Sequence, residues 1–129
     1  MFNIDQRGAT PIYQQLIQEV KEALMRGGLC AGDKMPSVRE LAGQLAINPN
    51  TIQKAYQELE RQGVIESLRG RGTFVCEQLE TIVDVQRQAQ VNAALRRVLI
   101  EAHYLGLNAE RIVAMVKEQL HDLKLGGDR

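Results

Sequence analysis

The sequence has no long hydrophobic run. No apolar stretch in its 129 residues approaches the ~18 residues that a membrane-spanning helix needs. Residues 1–11 also lack the apolar centre of a secretory signal. These two absences predict a protein that does not enter a membrane and that stays in the cytoplasm. A content of 44% hydrophobic and 25% charged residues is typical of a globular chain with one or two small units.

Cysteine and histidine are scarce. The two cysteines, Cys30 and Cys76, are far apart in the sequence. Without an export signal we expect both thiols to be reduced, and a disulfide between them is the alternative. The two histidines, His103 and His121, have no cysteine or carboxylate at the spacing of metal ligands. The sequence therefore predicts no metal site and no cofactor.

An excess of charge of one sign is missing as well. The 16 Lys and Arg residues balance the 16 Asp and Glu residues, and a net charge of zero at first counts against a nucleic-acid partner. Affinity for DNA depends on local charge, however. Arg69 and Arg71 flank Gly70, and no acidic residue lies between Ser67 and Cys76. This basic segment keeps double-stranded DNA as the predicted partner.

Two helix starts and one helix end are visible before residue 40. Thr10-Pro11, a capping residue followed by a proline at the first helical position, predicts the start of a first helix. Gly27-Gly28 predicts its end. Ser37 and Glu40 form the Ser-x-x-Glu pattern of a capping box, which predicts a second helix. That helix is barely two turns long, so it needs packing partners to be stable.

A third helix is predicted from Asn48-Pro49 to Gly63. Its apolar residues recur at the spacing of one buried face: Ile52, Ala55, Tyr56 and Leu59. Its polar residues occupy the other face: Asn50, Gln53, Lys54 and Gln57. Short β patterns at 64–67 and 73–75 follow, joined by the glycine-rich link 68–72, which suits a hairpin turn. This order of elements predicts a winged helix-turn-helix.

Beyond Cys76 the pattern is helical. We predict one helix from about Leu79 to Tyr104, a break at Gly106 and a last helix capped by Asn108, which together form a helical hairpin. The hairpin has two apolar stripes: Val91, Leu95, Val98, Ala102 and Leu105, and then Ile112, Val113, Val116, Leu120 and Leu123. The simplest partner for these stripes is a second copy, which predicts a homodimer through residues 79–123. Packing against the chain's own first domain is the alternative.

The predicted fold is therefore mainly α with a small β-hairpin. An N-terminal winged helix-turn-helix DNA-binding domain is expected at residues 1–77, and a two-helix dimerisation hairpin at residues 78–129.

The polar face of the third helix carries side chains suited to reading bases. The amides of Asn50 and Gln53 can each donate and accept, so they can pair with N6 and N7 of adenine. Thr51 can bond a phosphate or touch a thymine methyl group, and Lys54 is the better candidate for a phosphate. A polar face that simply faces water is the alternative. The helix-turn before this face and the hairpin after it favour DNA.

Two further groups of residues flank that helix. Arg39 can reach a phosphate or a guanine edge, or else form a surface ion pair with an acidic neighbour. Ser37 can donate to a phosphate beside its capping role. At the hairpin tip, Arg69, Arg71 and Gly72 suit contact with a minor groove, where arginine is favoured by the negative potential. An ordinary solvated turn is the alternative there.

These motifs resemble the DNA-binding domain of the GntR family of bacterial transcription regulators. The matching segments are Pro36-Ser37-x-Arg39-x-Leu41-Ala42, Asn50-Thr51-x-x-x-Ala55, Leu59 with Gly63, and Gly70-Arg71-Gly72-Thr73-Phe74-Val75. The segment Asn48-Pro49-Asn50-Thr51, followed by Lys54-Ala55-Tyr56, and the short helical tail resemble the YtrA subfamily in particular.

The resemblance implies a set of DNA contacts: Arg39, Asn50, Thr51, Gln53 and Gly72. It also marks a departure, because many members of the family have arginine where this chain has Pro49 and Gln53. Two arginines that would read guanine are therefore missing, and we expect an operator preference different from that of the broad family.

The sequence thus predicts a sequence-specific DNA-binding transcription regulator, a repressor that occupies a palindromic operator as a homodimer. A protein-interaction module is the second hypothesis, since winged helices also serve as docking domains. An enzyme is not expected, because no catalytic residues, glycine-rich phosphate loop or nucleophile elbow are recognisable. No polar cluster locates a small-molecule effector site, and a ligand between two subunits stays open.

Overall fold

The computed structural model describes residues 2–77, which belong to a first compact unit, and residues 85–124, which belong to a second. The predicted domain boundary at residue 78 and the predicted helix start near Leu79 lie outside the described residues.

The first unit has the element order of a winged helix-turn-helix. It contains α1 (Ile12–Arg26), α2 (Val38–Leu45), α3 (Pro49–Arg61), β1 (Ile65–Leu68) and β2 (Gly72–Val75). The two strands pair antiparallel, with Ile65 opposite Val75 and Leu68 opposite Gly72. The predicted fold class is confirmed. The first strand lies one residue later than predicted, and the second begins one residue earlier.

Side-chain caps start both helices of the helix-turn-helix. The hydroxyl of Ser37 accepts a hydrogen bond from the Glu40 N–H at 3.0 Å, and the Glu40 carboxylate accepts one from the Ser37 N–H at 2.8 Å. This is the predicted capping box. The side chain of Asn48 accepts a hydrogen bond from the Asn50 N–H at 2.8 Å, so the predicted cap of α3 is also confirmed.

The start of α1 differs from the prediction. Pro11 is itself the N-cap residue, and no side chain caps the helix. Thr10 instead offers its carbonyl to the side-chain amide of Gln15 at 2.7 Å, and that amide also donates to the carbonyl of Asp5 at 2.8 Å. These two bonds hold the segment before α1 against the helix. Phe2, at the other end of that segment, lies in the core with 8% of its surface exposed.

A third extended segment, residues 33–35, lies beside the hairpin. The N–H of Met35 donates to the carbonyl of Thr73 at 2.8 Å, and Lys34 forms an antiparallel bridge with Phe74. The sequence does not predict this segment, because three residues are too few to show the alternation of a strand.

One hydrophobic core joins the three helices and the hairpin of the first unit. Its buried residues are Phe2, Leu16, Val20, Leu29, Met35, Leu41, Ala42, Ile47, Ile52, Ala55, Tyr56, Leu59, Ile65 and Val75. Burying a side chain such as Leu or Ile contributes roughly 1.5–3 kcal/mol. Packing of Leu41 and Ala42 into this core therefore stabilises α2, which is too short to be a stable helix alone.

The second unit consists of α4 (Val85–Tyr104) and α5 (Ala109–Lys124). Gly106, at φ 81°, lies in the turn between them, and the Asn108 side chain accepts a hydrogen bond from the Arg111 N–H at 2.8 Å. The predicted break and cap are thus confirmed. In residues 85–124, Ala102 alone is buried. No helix in the described part of the chain is long and apolar enough to span a membrane.

Candidate nucleic-acid interface

The first turn of α2 exposes two of the predicted DNA-binding residues. Ser37 and Arg39 both lie at the surface. The capping bonds from Ser37 hold the pKa of Glu40 below its usual value, so this carboxylate stays ionised and fixed in the first turn. Within residues 2–77 and 85–124, Arg39 forms no ion pair, and its guanidinium is available to a ligand. The ion-pair alternative for Arg39 is therefore not realised in this structure.

The N-terminal half of α3 exposes the predicted base-reading side chains. Ile52 and Ala55 are completely buried, which fixes the rotation of the helix about its axis. Asn50 and Gln53 are consequently exposed on the outer surface, and Thr51 is half-buried at its edge. Because the side chain of Asn48 already caps the helix, the side chain of Asn50 remains available for a base edge.

Lys54 has a partner that the sequence did not indicate. Its Nζ lies 3.9 Å from the centroid of the Tyr13 ring, which belongs to the first turn of α1. A cation held over an aromatic face is attracted by the ring quadrupole, by about 0.5–1 kcal/mol at an exposed site. The ammonium of Lys54 is therefore positioned by α1, although the side chain stays exposed. No spacing rule links residues 13 and 54, so only the fold reveals this pair.

The wing tip is a tight turn between β1 and β2. The N–H of Arg71 donates to the carbonyl of Leu68 at 2.8 Å and closes the turn. Gly70 has φ 77° and Gly72 has φ 117°, values that L side chains rarely adopt. Arg69 and Arg71 are both exposed at this tip. The glycines therefore set a turn that displays two guanidinium groups.

The extended segment at residues 33–36 connects the start of α2 with α3 and with the wing. The phenol of Tyr56, in α3, donates to the carbonyl of Pro36 at 2.6 Å. The N–H of Met35 donates to Thr73 in β2 at 2.8 Å. The start of α2 is thus bonded to α3 on one side and to the wing on the other. Burial raises the pKa of Tyr56 to about 12, with a further contribution from Glu40.

Lys34 is a second cation that sequence reasoning missed. It lies in the segment that pairs with β2 and is exposed to solvent. Its Cε would be 3.2 Å from a Cβ built on Gly72. The side chain of Lys34 therefore runs along the wing toward its tip. The local sequence gave no signal for this position, because the pairing with β2 is formed between residues distant in the chain.

The cysteines and histidines offer no competing site. Both cysteines are free thiols, and burial together with nearby Glu66 and Glu60 raises the pKa of the Cys76 thiol. In the part of the chain that the structure describes, no group of three or more His, Cys, Asp or Glu side chains could hold a metal ion.

Comparison with known proteins decides the family. A family model described as bacterial regulatory proteins, gntR family, matches residues 12–75, from the first residue of α1 to the last residue of β2. The HTH-type transcriptional repressor YtrA of Bacillus subtilis (strain 168) is 46% identical over 126 residues, which are 98% of this chain and 97% of that repressor. The chain belongs to the GntR family. Its predicted resemblance to the YtrA subfamily is confirmed.

Solved structures resemble this GntR-family chain as well. The crystal structure of a transcriptional antiterminator from Listeria monocytogenes EGD-e has a TM-score of 0.88 at 39% identity, covering 96% of this chain and 92% of that one. AraR(DBD) in complex with operator ORX1 has a TM-score of 0.53 at 30% identity, covering 58% of this chain and 96% of that one. The chain is therefore a DNA-binding transcriptional regulator and not an enzyme.

Proposed function

We propose that this regulator is a sequence-specific repressor that occupies a palindromic operator as a homodimer in the cytoplasm. The observation that carries the proposal is the bonded arrangement around Pro36. The start of α2, the exposed face of α3 and the wing are linked through one segment by the bonds of Tyr56 and Met35. The backbone segments that carry the three groups of proposed DNA-binding side chains are thus bonded to one another.

Each group has a distinct role in this proposal. Asn50 and Gln53 read base edges from the N-terminal half of α3, with Thr51 beside them, because recognition helices contact bases with their first turns. Ser37, Arg39 and Lys54 bind phosphates on either side of the reading helix. The wing residues bind the adjacent groove: Arg69, Arg71 and Gly72. The similar structure of AraR(DBD) was solved in complex with operator ORX1, which supports DNA as the ligand of this domain type.

The homodimer is inferred from the apolar surface of the second unit. On α4, Val91 is 69% exposed and Val98 is 62% exposed, and on α5 Val113 is 51% exposed. Exposed apolar side chains that recur on one helix face mark an interaction site. A second copy presents the same faces, so a symmetric pair buries both at once. A domain boundary near residue 78 then separates DNA binding from dimerisation.

Two single-residue variants test the assignment of readers and phosphate contacts. We expect Gln53→Ala to change the base preference in duplexes selected from a random pool, and Arg71→Ala to weaken binding to all duplexes. Gln18→Ala, the same change at an exposed position of α1, is the matched control and should leave both properties unchanged. Equal affinity of the wild-type chain for selected and scrambled DNA near 0.15 M salt would refute sequence-specific binding.

A carboxylate introduced into the apolar stripe of α4 tests the proposed dimer. Val98→Glu places a carboxylate on the proposed interface, whereas Ala93→Glu places it about 140° away around α4 at 100° per residue. Sedimentation at micromolar concentration should show a dimer for the wild type and for Ala93→Glu, and a monomer for Val98→Glu. The dimer should prefer an inverted repeat with half-sites about 34–36 Å apart over a single half-site. A wild-type monomer, or equal binding to both duplexes, would exclude the palindromic dimer.

A further inference from the structure

Lys34 occupies the gap between two proposed DNA-binding groups. It follows α1 in the chain, bridges Phe74 of the wing and precedes Ser37 by three residues. Neither the sequence pattern nor the proposed set of contacts includes it. Its position is fixed by backbone pairing with β2, so the base of its side chain moves with the wing.

The side chain of Lys34 lies along the wing backbone. A Cβ added to Gly72 would meet Cε of Lys34 at 3.2 Å and Nζ at 3.8 Å. The ammonium therefore lies beside Gly72, next in sequence to Arg71 at the wing tip. The open surface of the glycine leaves room for the methylene chain of the lysine.

The field of Lys34 also reaches the first turn of α2. The ammonium contributes to the lowered pKa of Glu40, after the two hydrogen bonds with Ser37. Glu40 directs its carboxylate to the Ser37 N–H at 2.8 Å. Within the described residues, Lys34 forms no salt bridge with Glu40 or any other carboxylate. An exposed ammonium without a bound counter-charge thus lies between the wing and the start of α2.

We propose that Lys34 is a phosphate-binding residue that neutralises the DNA strand passing between the wing and α2. Glycine at position 72 lets its side chain lie across the wing. The inference rests on the proposed DNA-binding face. A compact ammonium on a flexible stem is a point charge without base selectivity, so the contact adds affinity and no sequence preference.

The test is a salt titration of DNA binding with three variants of the full chain. The probes are a duplex selected from a random pool by the wild type and a scrambled duplex of the same composition. Lys34→Ala removes the ammonium, and Lys34→Arg keeps a cation. Lys124→Ala makes the same change in net charge at an exposed position of the last turn of α5. Circular dichroism melts check folding, and Lys34→Gln replaces Lys34→Ala if the latter is unfolded.

The slope of log K against log salt is negative, and one lost phosphate contact reduces its magnitude by about 0.9. Near 0.15 M salt this corresponds to a roughly five-fold loss of affinity. In a dimer both copies lose the contact, so we expect a slope change of about 1.8 and a roughly 30-fold loss. The loss should be equal on both duplexes, and Lys34→Arg should restore most of the binding.

The outcomes separate this inference from the proposed function. Wild-type slope and affinity in Lys34→Ala, with a clear loss in Arg71→Ala, would overturn the role of Lys34 alone. Equal losses in Lys34→Ala and Lys124→Ala would show an effect of net charge and would overturn it as well. A wild-type chain that selects no duplex from the random pool and does not bind the scrambled duplex would refute the proposed DNA-binding face itself.

Discussion

Removing the hydroxyl of Tyr56 should loosen the helix-turn-helix at its centre. Tyr56 is 5% exposed and lies in the core, and its phenol donates to the Pro36 carbonyl at 2.6 Å. Tyr56→Phe keeps the ring and deletes only this hydrogen bond, so the carbonyl loses a partner without a cavity being formed. The bond connects α3 with the residue that precedes the cap of α2. The variant therefore tests how much this connection contributes to folding.

The magnitude follows from the part-buried carbonyl. Leaving such a group without its partner costs about 1–2 kcal/mol. At roughly 4 °C per kcal/mol for a chain of this size, the melting temperature of Tyr56→Phe should fall by about 4–8 °C at neutral pH. Tyr104→Phe removes a hydroxyl from a residue that is 81% exposed. This control should change stability by less than about 0.5 kcal/mol.

The raised pKa of Tyr56 gives the same prediction a pH dependence. The folded pKa is about 12, against an ordinary value of 10.0. The unfolded chain therefore loses this proton first, and the stabilisation is fully present below pH 10 and is lost as pH rises from 10 to about 12. A shift of this size corresponds to at most about 2–3 kcal/mol, which solvent near the part-buried hydroxyl reduces.

Urea unfolding of the wild type and Tyr56→Phe across this range measures the effect. The difference in unfolding free energy between the two proteins should be largest near neutral pH and should shrink toward pH 12, because groups shared by both proteins cancel. The reasoning is refuted if Tyr56→Phe is as stable as the wild type at neutral pH, or if the difference does not change between about pH 8 and pH 12.

Substitutions at four further positions test local features. Tyr13→Leu should weaken DNA binding two- to five-fold, because it removes the cation–π attraction on Lys54 of about 0.5–1 kcal/mol. Tyr13→Phe keeps an aromatic face and should bind DNA like the wild type. Equal binding by the two variants in a DNA titration would contradict this. Ala46 has φ 56°, so Ala46→Gly should raise the unfolding free energy by up to about 1 kcal/mol, and a lower melting temperature would count against strain there. Gly43 lies in α2 with nothing near its missing Cβ, whereas Gly70 has φ 77°. Gly43→Ala should therefore raise the free energy of unfolding by roughly 0.5–1 kcal/mol, and Gly70→Ala should lower it by about 1 kcal/mol. Melting temperatures that shift in the same direction for both variants would contradict this prediction.

Much of the first unit could be predicted from local patterns. The capping box of Ser37 and Glu40, the cap at Asn48 and the glycine-rich turn are short-range signals, and each is confirmed by a bond or dihedral angle. Local signals work here because a cap depends on residues only two or three positions apart. The prediction that Thr10 caps α1 was wrong, because Pro11 is itself the N-cap residue and no side chain caps the helix. The Thr10 carbonyl accepts a hydrogen bond from the side chain of Gln15.

The two cation contacts that sequence reasoning missed in the candidate interface depend on residues distant in the chain. The pairing of Lys34 with Phe74 and the contact of Lys54 with Tyr13 join segments separated by about 40 residues. No periodicity or spacing rule connects such positions before the fold is known. The DNA-binding roles of the exposed residues stay predictions for the same reason, since they depend on a ligand and not on the fold.

The charges of the candidate interface determine which of its residues should contribute affinity for DNA and which should contribute base preference. The net charge of the chain is zero, so long-range attraction to DNA is small and phosphate contacts have to come from local cations such as Arg39, Arg71 and Lys34. The proposed readers Asn50 and Gln53 are uncharged amides. Variants of the cations should therefore change the salt dependence, whereas variants of the amides should change base preference at constant slope. A change of slope in Gln53→Ala would show that this residue lies at a phosphate, and would move the reading of bases to another part of α3.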